Sequence, residues 1–391
     1  MRNVKYFMAL MGLAMALAVG CVQGANTGGG QPTAAPTGNA TTAVTPEWQK
    51  KWDATLAAAK QEGTLTMYGE VNPELRDAFI KGFENKYGIK IEFVIGKSAE
   101  LSARWEREHA AGVNQVDVFL MGGGSSILAM KPKGAFAPLE PYFILPEVTD
   151  PKGWRDGKVG FLDAAKTVIP LNAAYTTYVA TNTDLVKPGQ LSSYRDLLKP
   201  EWKGKVVLLD PTFPGAGAGW ATFLITKAFP GGLEAGKDYL RQFAATRPEI
   251  TRDVRIQVEW VAKGKYAVGV GVQHATTSEF KAAGAPISIQ RFVEGGNINP
   301  ASGCIEVPPK PVHPNATAVF VNWVLTREGQ TYFSQGFGSP SVRTDVTVEG
   351  IDPSKSARPD DKAYMTDEEF FVTQGVAMTV SKEIFGDQLT R

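Results

Sequence analysis

The stretch GTLTMYGEVNPELRDAFIKGFENKYGIKIEFVI, from Gly63 to Ile95, contains a strand, a helix and a second strand in direct succession. In its first part, apolar Leu65 and Met67 alternate with polar residues, which is typical of a strand. Asn72 is a favourable N-cap and Pro73 suits the first helical position, and apolar residues then recur along one helix face. The final IKIEFVI alternates again. This succession indicates an α/β lobe with a largely parallel sheet.

The same alternation continues along the chain and predicts a second lobe. A helix from Ser98 to Ala111 leads into the apolar run from Val116 to Met121, as expected for a strand that is covered on both faces. Further strands are predicted at Lys205 to Asp210 and Tyr266 to Val272, and further helices at Gly219 to Phe229, Glu234 to Ala245, Asp253 to Ala262 and Asn315 to Gly329. Between the two sets, Thr167 to Asn182 is rich in β-formers and is expected to cross from one lobe to the other, and Pro286 to Val307 to return.

Composition restricts the class of protein. The 391 residues include 41 Lys and Arg against 40 Asp and Glu, and only two Cys. A length of this order is typical of two lobes with substantial cores. A near-neutral chain without a basic cluster lacks the cationic surface that nucleic-acid binding requires, so no nucleic-acid partner is expected.

The first residues have the pattern of a secretory signal. Arg2 and Lys5 precede an apolar run from Tyr6 to Val19, which is too short to span a bilayer, and small residues then lead to Cys21. We interpret residues 1–20 as a lipoprotein signal peptide, Cys21 as the lipidated residue, and residues 21–45, rich in Gly, Thr, Ala and Pro, as a flexible tether. An ordinary signal peptide with an incidental Cys is the alternative.

Several motifs resemble one family. The stretches YGEVNPE (Tyr68 to Glu74), DVFLMGGGSS (Asp117 to Ser126), YRDLLKPEWKGKVVLLDP (Tyr194 to Pro211) and HPNATAVFVNWVLTREGQ (His313 to Gln330) are similar to the solute-binding proteins of ABC importers, specifically the ferric-ion type. The resemblance implies the type II periplasmic-binding-protein fold, in which two α/β lobes are joined by crossover hinge strands around an interlobe cleft. It assigns residues 46–176 and 285–340 to lobe 1, 177–284 to lobe 2 and 341–391 to a C-terminal helical segment that packs on the lobes.

The resemblance also implies a function and its partners. A monomeric receptor, anchored by lipid on the outer face of the cell membrane or in the periplasm, would capture a small polar solute, anionic or organic, by lobe closure and deliver it to an ABC permease with its ATPase. Ferric members of the family use adjacent tyrosines after the strand matched here by Tyr266 to Val272, but this chain has Gln273, His274, Ala275 and Thr276. We therefore predict no metal and no cofactor, and keep a Fe(III) receptor as the alternative.

Two glycine-rich loops are candidates for the ligand site. Gly122 to Ser126 follows the strand of lobe 1, and Asp210 to Gly217 follows a strand of lobe 2. Ligands of α/β proteins bind beyond the carboxyl ends of strands, where helix N-termini offer free N–H groups to anions. Ordinary strand-to-helix turns are the alternative for either loop.

Other side chains at the same strand ends complete the candidate site. The predicted ligand-binding residues are Tyr68, Glu70, Gly123, Ser125, Ser126, Tyr175, Asp210, Thr212, Gly215, Gly217, Gln273 and His274. The tyrosines are equally suited to core packing, and Arg252 and Arg255 either reach an anionic ligand or form a solvated helix face.

Catalysis is not expected. The sequence has no HExxH motif and no Gly-x-Ser-x-Gly elbow, and its three His are scattered. A binding protein is therefore favoured over an enzyme; a hydrolase or a sensor lipoprotein on the same fold remains an alternative.

Overall fold

A computed structural model describes residues 45–300 and 303–389, which form one compact unit from Thr45 onward. The predicted signal peptide, Cys21 and nearly all of the tether lie outside the described residues. The first helix begins directly after Pro46, where the sequence predicts the start of the folded part.

The strands, in chain order, are β1 (Thr64–Gly69), β2 (Lys90–Ile95), β3 (Val118–Met121), β4 (Ile169–Pro170), β5 (Ala174–Thr176), β6 (Val179–Asn182), β7 (Val206–Leu209), β8 (Glu249–Thr251), β9 (Val268–Val270), β10 (Ile287–Ile289), β11 (Gly296–Asn299), β12 (Cys304–Glu306) and β13 (Ala363–Met365). They form three sheets. The sheet of lobe 1 has the order β2-β1-β3-β12-β4, and that of lobe 2 the order β10-β6-β9-β7-β8. The third, β13-β11-β5, lies where the chain crosses between the lobes, and we call it the hinge sheet.

The helices are α1 (Glu47–Glu62), α2 (Pro73–Phe79), α3 (Asn85–Tyr87), α4 (Ser98–Ala110), α5 (Gly123–Ser125), α6 (Pro146–Thr149), α7 (Ala216–Phe223), α8 (Gly232–Ala245), α9 (Val254–Ala262), α10 (His274–Ala282), α11 (Pro314–Leu325), α12 (Arg327–Phe337) and α13 (Glu368–Leu389). Single π-helical turns continue α2 over Ile80–Glu84, α5 over Ser126–Met130 and α7 over Leu224–Ala228.

The predicted α/β architecture is confirmed, and local chemistry explains the element ends. Asn72 caps α2, because its side-chain oxygen accepts a hydrogen bond from the backbone N–H of Leu75 at 2.7 Å. In lobe 1, β1 is parallel to both β2 and β3, so these three strands end at the same edge of the sheet. In lobe 2, β7 is parallel to β8 and β9 and likewise shares one edge with them.

Two helix predictions were wrong at their ends. The helix expected from Asn315 to about Gly329 is interrupted, because the Thr326 side chain accepts a hydrogen bond from the N–H of Gly329 and begins α12. The helix expected to begin at Gly219 begins at Ala216, directly after Gly215. The glycine-rich loop that follows β7 is therefore shorter than predicted. The first backbone N–H groups of α7 consequently lie beside β7.

The C-terminal segment contacts both lobes. It supplies β13 to the hinge sheet, and α13 then packs against lobe 1 near Met130 and against α7 and α8 of lobe 2. Strand β10, which the sequence assigned to lobe 1, pairs with β6 in the sheet of lobe 2, so the return to lobe 1 runs through β11 and β12. The lobe boundaries stay a prediction.

Candidate functional site

The carboxyl edge of the lobe 2 sheet carries a tight polar cluster. Asp210 follows β7 and is almost fully buried. Its Oδ1 accepts hydrogen bonds from the N–H and the hydroxyl of Thr212, at 2.9 and 2.6 Å, and its Oδ2 accepts one from Arg252 Nε at 2.9 Å. The Arg252 guanidinium also stacks on the Phe213 ring at 4.2 Å. Both carboxylate oxygens of Asp210 are thus engaged, and they orient an arginine whose side chain remains 65% exposed.

The N-terminus of α7 opens beside this cluster. Its N-cap residue is Gly215, at φ 145°, and no side chain caps the helix. A Cβ built at Gly215 would meet no atom within 4 Å, whereas one at Gly217 would lie 2.4 Å from the Leu209 carbonyl oxygen. Gly217 is therefore needed for close packing of the loop on β7, and Gly215 faces open space. The first turn of α7 carries no acidic side chain that would occupy its positive end.

The corresponding loop of lobe 1 is enclosed by other parts of the chain. A Cβ at Gly123 would lie 2.9 Å from Leu162 Cδ1 and 3.0 Å from Phe371 Cζ, because Phe371 of α13 packs on this loop. Ser126 is buried, and its hydroxyl donates to Glu306 Oε1 at 2.5 Å. Ser125 is half-buried at the end of α5.

Glu306 is a fully buried carboxyl group beneath that loop. Its second oxygen, Oε2, has no hydrogen-bond partner among the described residues. Burial raises the pKa of Glu306 well above its ordinary value, and the negative charge of Asp163 acts in the same direction. The site therefore favours the protonated form of this carboxyl group. No motif in the sequence distinguishes it.

Two predicted residues at the carboxyl end of β1 bond within lobe 1. Tyr68 is fully buried and donates its hydroxyl proton to Glu108 Oε2 at 2.8 Å, with Arg104 stacked on the ring. Burial raises the pKa of Tyr68 to about 12. Glu70 accepts a hydrogen bond from the N–H of Ser98 at 2.7 Å and so supplies a carboxylate to the start of α4. Their contact with a ligand stays a prediction.

The remaining predicted residues lie beside the C-terminal segment. Gln273 is the N-cap residue of α10 and His274 its first residue. Burial lowers the pKa of His274 to about 4, and the charge of Lys355 adds to the effect, so the imidazole is neutral at pH 7. Tyr175 is fully buried in the hinge sheet, with Arg291 stacked on its ring at 4.9 Å. Arg291 in turn bonds Asp361 and the carbonyl oxygen of Ser356.

Sequence reasoning considered Tyr178 only as an aromatic residue that could stack on a solute, and it missed two asparagines of the hinge region. The hydroxyl of Tyr178 accepts hydrogen bonds from the side-chain amides of Asn297 and Asn299, both at 3.3 Å. The amide oxygens of the two asparagines have no partner among the described residues. Two asparagines at alternate positions of a short strand are the signal that was available.

Two kinds of feature are absent from the described residues. Within residues 45–300 and 303–389, no three His, Cys, Asp or Glu side chains are grouped so that they could hold a metal ion. No helix in this part of the chain is long and apolar enough to cross a membrane.

Known proteins resemble this chain in sequence or in fold. A Haemophilus influenzae protein, described as uncharacterized, is 25% identical over 318 residues, which cover 77% of this chain and 85% of the relative. The FutA protein of Trichodesmium, solved with iron and citrate ligands, matches with a TM-score of 0.64 and 18% identity over 82% of this chain and 99% of its own. The AfuA protein of Actinobacillus pleuropneumoniae, solved with fructose-6-phosphate bound, matches with a TM-score of 0.56 and 20% identity over 84% of this chain and 99% of its own.

These structures share the two-lobe fold of periplasmic binding proteins with this chain. The sequence model of one family matches residues 68–331. These residues include the sheet of lobe 1, apart from the first residues of β1, and the sheet of lobe 2. The chain belongs to the bacterial extracellular solute-binding protein family.

Proposed function

We propose that this protein is a lipid-anchored receptor of an ABC importer and that it captures a small organic anion at the carboxyl edge of the lobe 2 sheet. The captured solute is delivered to the permease when the lobes close around it. Contacts that form only when both lobes touch the solute favour the closed state, so the solute itself drives closure.

The observation that carries this proposal is the arrangement of Arg252 beside the open N-terminus of α7. Asp210 binds Arg252 through Nε, which leaves the two terminal nitrogens of the guanidinium for another partner. A guanidinium recognises carboxylate and phosphate groups through paired hydrogen bonds. The uncapped N–H groups after Gly215 add positive potential at the same place. Both features favour an anionic group.

The predicted residues divide into two roles under this proposal. Asp210 and Thr212 hold the loop and orient Arg252, since their polar atoms bond each other. Gly215, which faces open space, lets the anion approach the backbone of α7, and Gly217 lets the loop pack closely on β7. In the loop of lobe 1, Gly123 and Ser126 are enclosed and shape the loop, and the half-buried Ser125 is the predicted residue that would meet the solute on closure.

The chemistry of the side chains favours an organic anion over Fe(III). Hard anionic oxygens are the ligands that suit a ferric ion, and a metal site is recognised by the number and type of its ligands. The position of the ferric tyrosine pair has Gln273 and His274. Asp210, the carboxylate of the lobe 2 edge, is already engaged by Arg252 and Thr212.

A matched pair of arginines tests the site. Arg252 and Arg255 both stack on a phenylalanine and pair with a carboxylate, but Arg255 pairs with Glu279 away from the α7 terminus. Isothermal titration would use fructose 6-phosphate, citrate, inorganic phosphate and Fe(III) as probes. We expect an organic anion to bind, and Arg252→Ala to weaken it about 10- to 100-fold because a charge-assisted hydrogen bond is lost, while Arg255→Ala stays within about twofold.

Three results would count against the proposal. Binding of Fe(III) alone would favour the ferric alternative, and equal effects of the two substitutions would remove Arg252 from the site. If no organic anion binds in titration and none is found by native mass spectrometry of freshly purified protein, the receptor function would be overturned.

The proposed lipid anchor is tested separately, by the mass of the mature protein. Since two or more acyl chains are needed for stable attachment, the intact mass of protein extracted from membranes should correspond to a chain that begins at an acylated Cys21. A mature chain without acyl groups would contradict the anchor and leave the receptor proposal unaffected.

A further inference from the structure

The hinge sheet presents polar side chains toward α7. In the antiparallel pairing of β11 with β5, Asn297 lies opposite Thr176 and Asn299 opposite Ala174. Asn297 and Asn299 therefore share one face of the sheet, since alternate residues of a strand point the same way. Tyr178 reaches this face from the start of β6 and bonds both amides. The three side chains form what we call the hinge triad.

The hydrogen-bonding capacity of the hinge triad is only partly used. Both amide N–H groups are directed at the Tyr178 oxygen, so that oxygen acts as an acceptor twice and its own proton has no acceptor among the described residues. The Oδ1 atoms of Asn297 and Asn299 are buried and unpaired. Buried polar atoms without partners are rare in folded proteins, because each forfeits the hydrogen bonds that it would make in water. Three unused positions in one place indicate a missing partner.

The hinge triad lies close to the proposed anion site. The Tyr178 ring packs on Gly219 of α7, where a Cβ would lie 3.0 Å from the ring carbon Cε1 and 3.1 Å from the hydroxyl. Gly219 is in the first turn of α7, and its N–H bonds the carbonyl oxygen of Gly215. A solute whose anionic group lies at the α7 terminus would thus have its remaining atoms near the hinge.

We propose that Tyr178, Asn297 and Asn299 form a subsite for the hydroxyl groups of the solute, which makes the solute a sugar or polyol that carries an anionic group. A hydroxyl both donates and accepts, so it can bond an amide oxygen and take the Tyr178 proton at once. This inference rests on the proposed function, because it places the neutral part of the same anion.

The charge state of the hinge triad supports neutral partners. Burial raises the pKa of Tyr178 to about 12, so the phenol keeps its proton at physiological pH. The asparagine amides carry no charge. A site that pairs a substrate hydroxyl strongly disfavours analogues without it, because its own buried groups are then left unpaired.

The test compares two phosphate monoesters. Fructose 6-phosphate carries hydroxyls, and ethyl phosphate carries none beyond the phosphate group. We expect the wild-type protein to bind fructose 6-phosphate at least 10-fold more tightly. Tyr178→Phe retains the ring on Gly219, and Asn297→Leu retains the approximate volume of the amide. Each substitution should reduce the ratio of the affinity for fructose 6-phosphate to that for ethyl phosphate at least fivefold. The affinity for ethyl phosphate itself should stay unchanged, as measured by isothermal titration.

A buried tyrosine elsewhere in lobe 2 provides the control. Tyr239 is also fully buried, and its hydroxyl donates to the carbonyl oxygen of Tyr194. Tyr239→Phe should lower the melting temperature without altering the ratio of the two affinities. This separates a role in binding from a role in folding.

The outcomes distinguish the two proposals. If the wild type binds both monoesters equally, or if Tyr178→Phe and Asn297→Leu leave the ratio unchanged, the hinge subsite is wrong and the anion receptor stands. If neither monoester nor any other organic anion binds, both are overturned.

Discussion

The loops after β3 and β7 are both rich in glycine and both lead from a strand into a helix, but their surroundings differ. In lobe 2, Gly215 faces open space at the start of an eight-residue helix. In lobe 1, Gly123 is covered by Phe371, and the loop continues through a three-residue helix into a π-helical turn. The same local pattern therefore gives one open helix terminus and one enclosed loop, and residues distant in the chain make the difference.

The charges near the two loops differ as well. In lobe 2 the nearest carboxylate, Asp210, is neutralised by Arg252. In lobe 1 Glu306 lies beneath the loop, and burial raises its pKa and so favours its protonated form. The negative charge beside each loop is thus reduced, by pairing with an arginine in lobe 2 and by a raised carboxyl pKa in lobe 1.

The largest expected effect comes from removal of the aromatic cover of the lobe 1 loop. Phe371 is only 8% exposed and packs on Gly123, so Phe371→Ala should lower the free energy of unfolding by about 3–5 kcal/mol through lost burial and a new cavity. Urea denaturation monitored by circular dichroism measures this change.

The exposed phenylalanine of the other loop is the matched control. Phe213 is 48% exposed and contacts Arg252 through its ring, so Phe213→Ala should change the free energy of unfolding by less than about 1 kcal/mol. Equal losses for the two variants would show that the loops are enclosed to the same degree and would invalidate the comparison.

The sequence predicted most of the fold because its signals are local. The capped helix at Asn72 and the alternation in β1 and β2 depend on neighbours a few positions apart. Strand β13 was missed because the three residues Ala363–Met365 acquire a strand conformation only by pairing with β11.

The candidate site was predicted less completely. The carboxyl edges of the strands follow from parallel pairing, so Asp210 and Gly123 could be named from the sequence. The contacts that enclose these loops could not be predicted, because they join distant parts of the chain. Ser126 and Glu306, for example, are 180 positions apart. The hinge triad depends in the same way on contacts across more than 100 positions between Tyr178 and the asparagines. Such contacts are set by tertiary packing, which no local pattern encodes.

Glu306→Gln should alter the pH dependence of stability and thereby sharpen the contrast between protonation in lobe 1 and pairing in lobe 2. In the folded protein, the pKa of Glu306 is raised above its ordinary value of 4.5, chiefly by burial. The stabilisation from the retained proton is therefore complete below about pH 4.5 and is lost as the pH rises toward the folded pKa. From pH 5 to 7, the free energy of unfolding of Glu306→Gln should rise relative to that of the wild type by up to about 1.4 kcal/mol per pH unit, as measured by urea denaturation.

Ser126→Ala is the control for this pH effect. It removes the hydroxyl that donates to Glu306 but keeps the buried carboxyl group, so it should cost about 1 kcal/mol and retain the decline of stability with pH. Wild-type and Glu306→Gln curves that run parallel between pH 5 and 7 would mean that Glu306 is ionised in the folded protein. The loop of lobe 1 would then contain a buried negative charge, and an anionic solute would be repelled there while the arginine of lobe 2 attracted it.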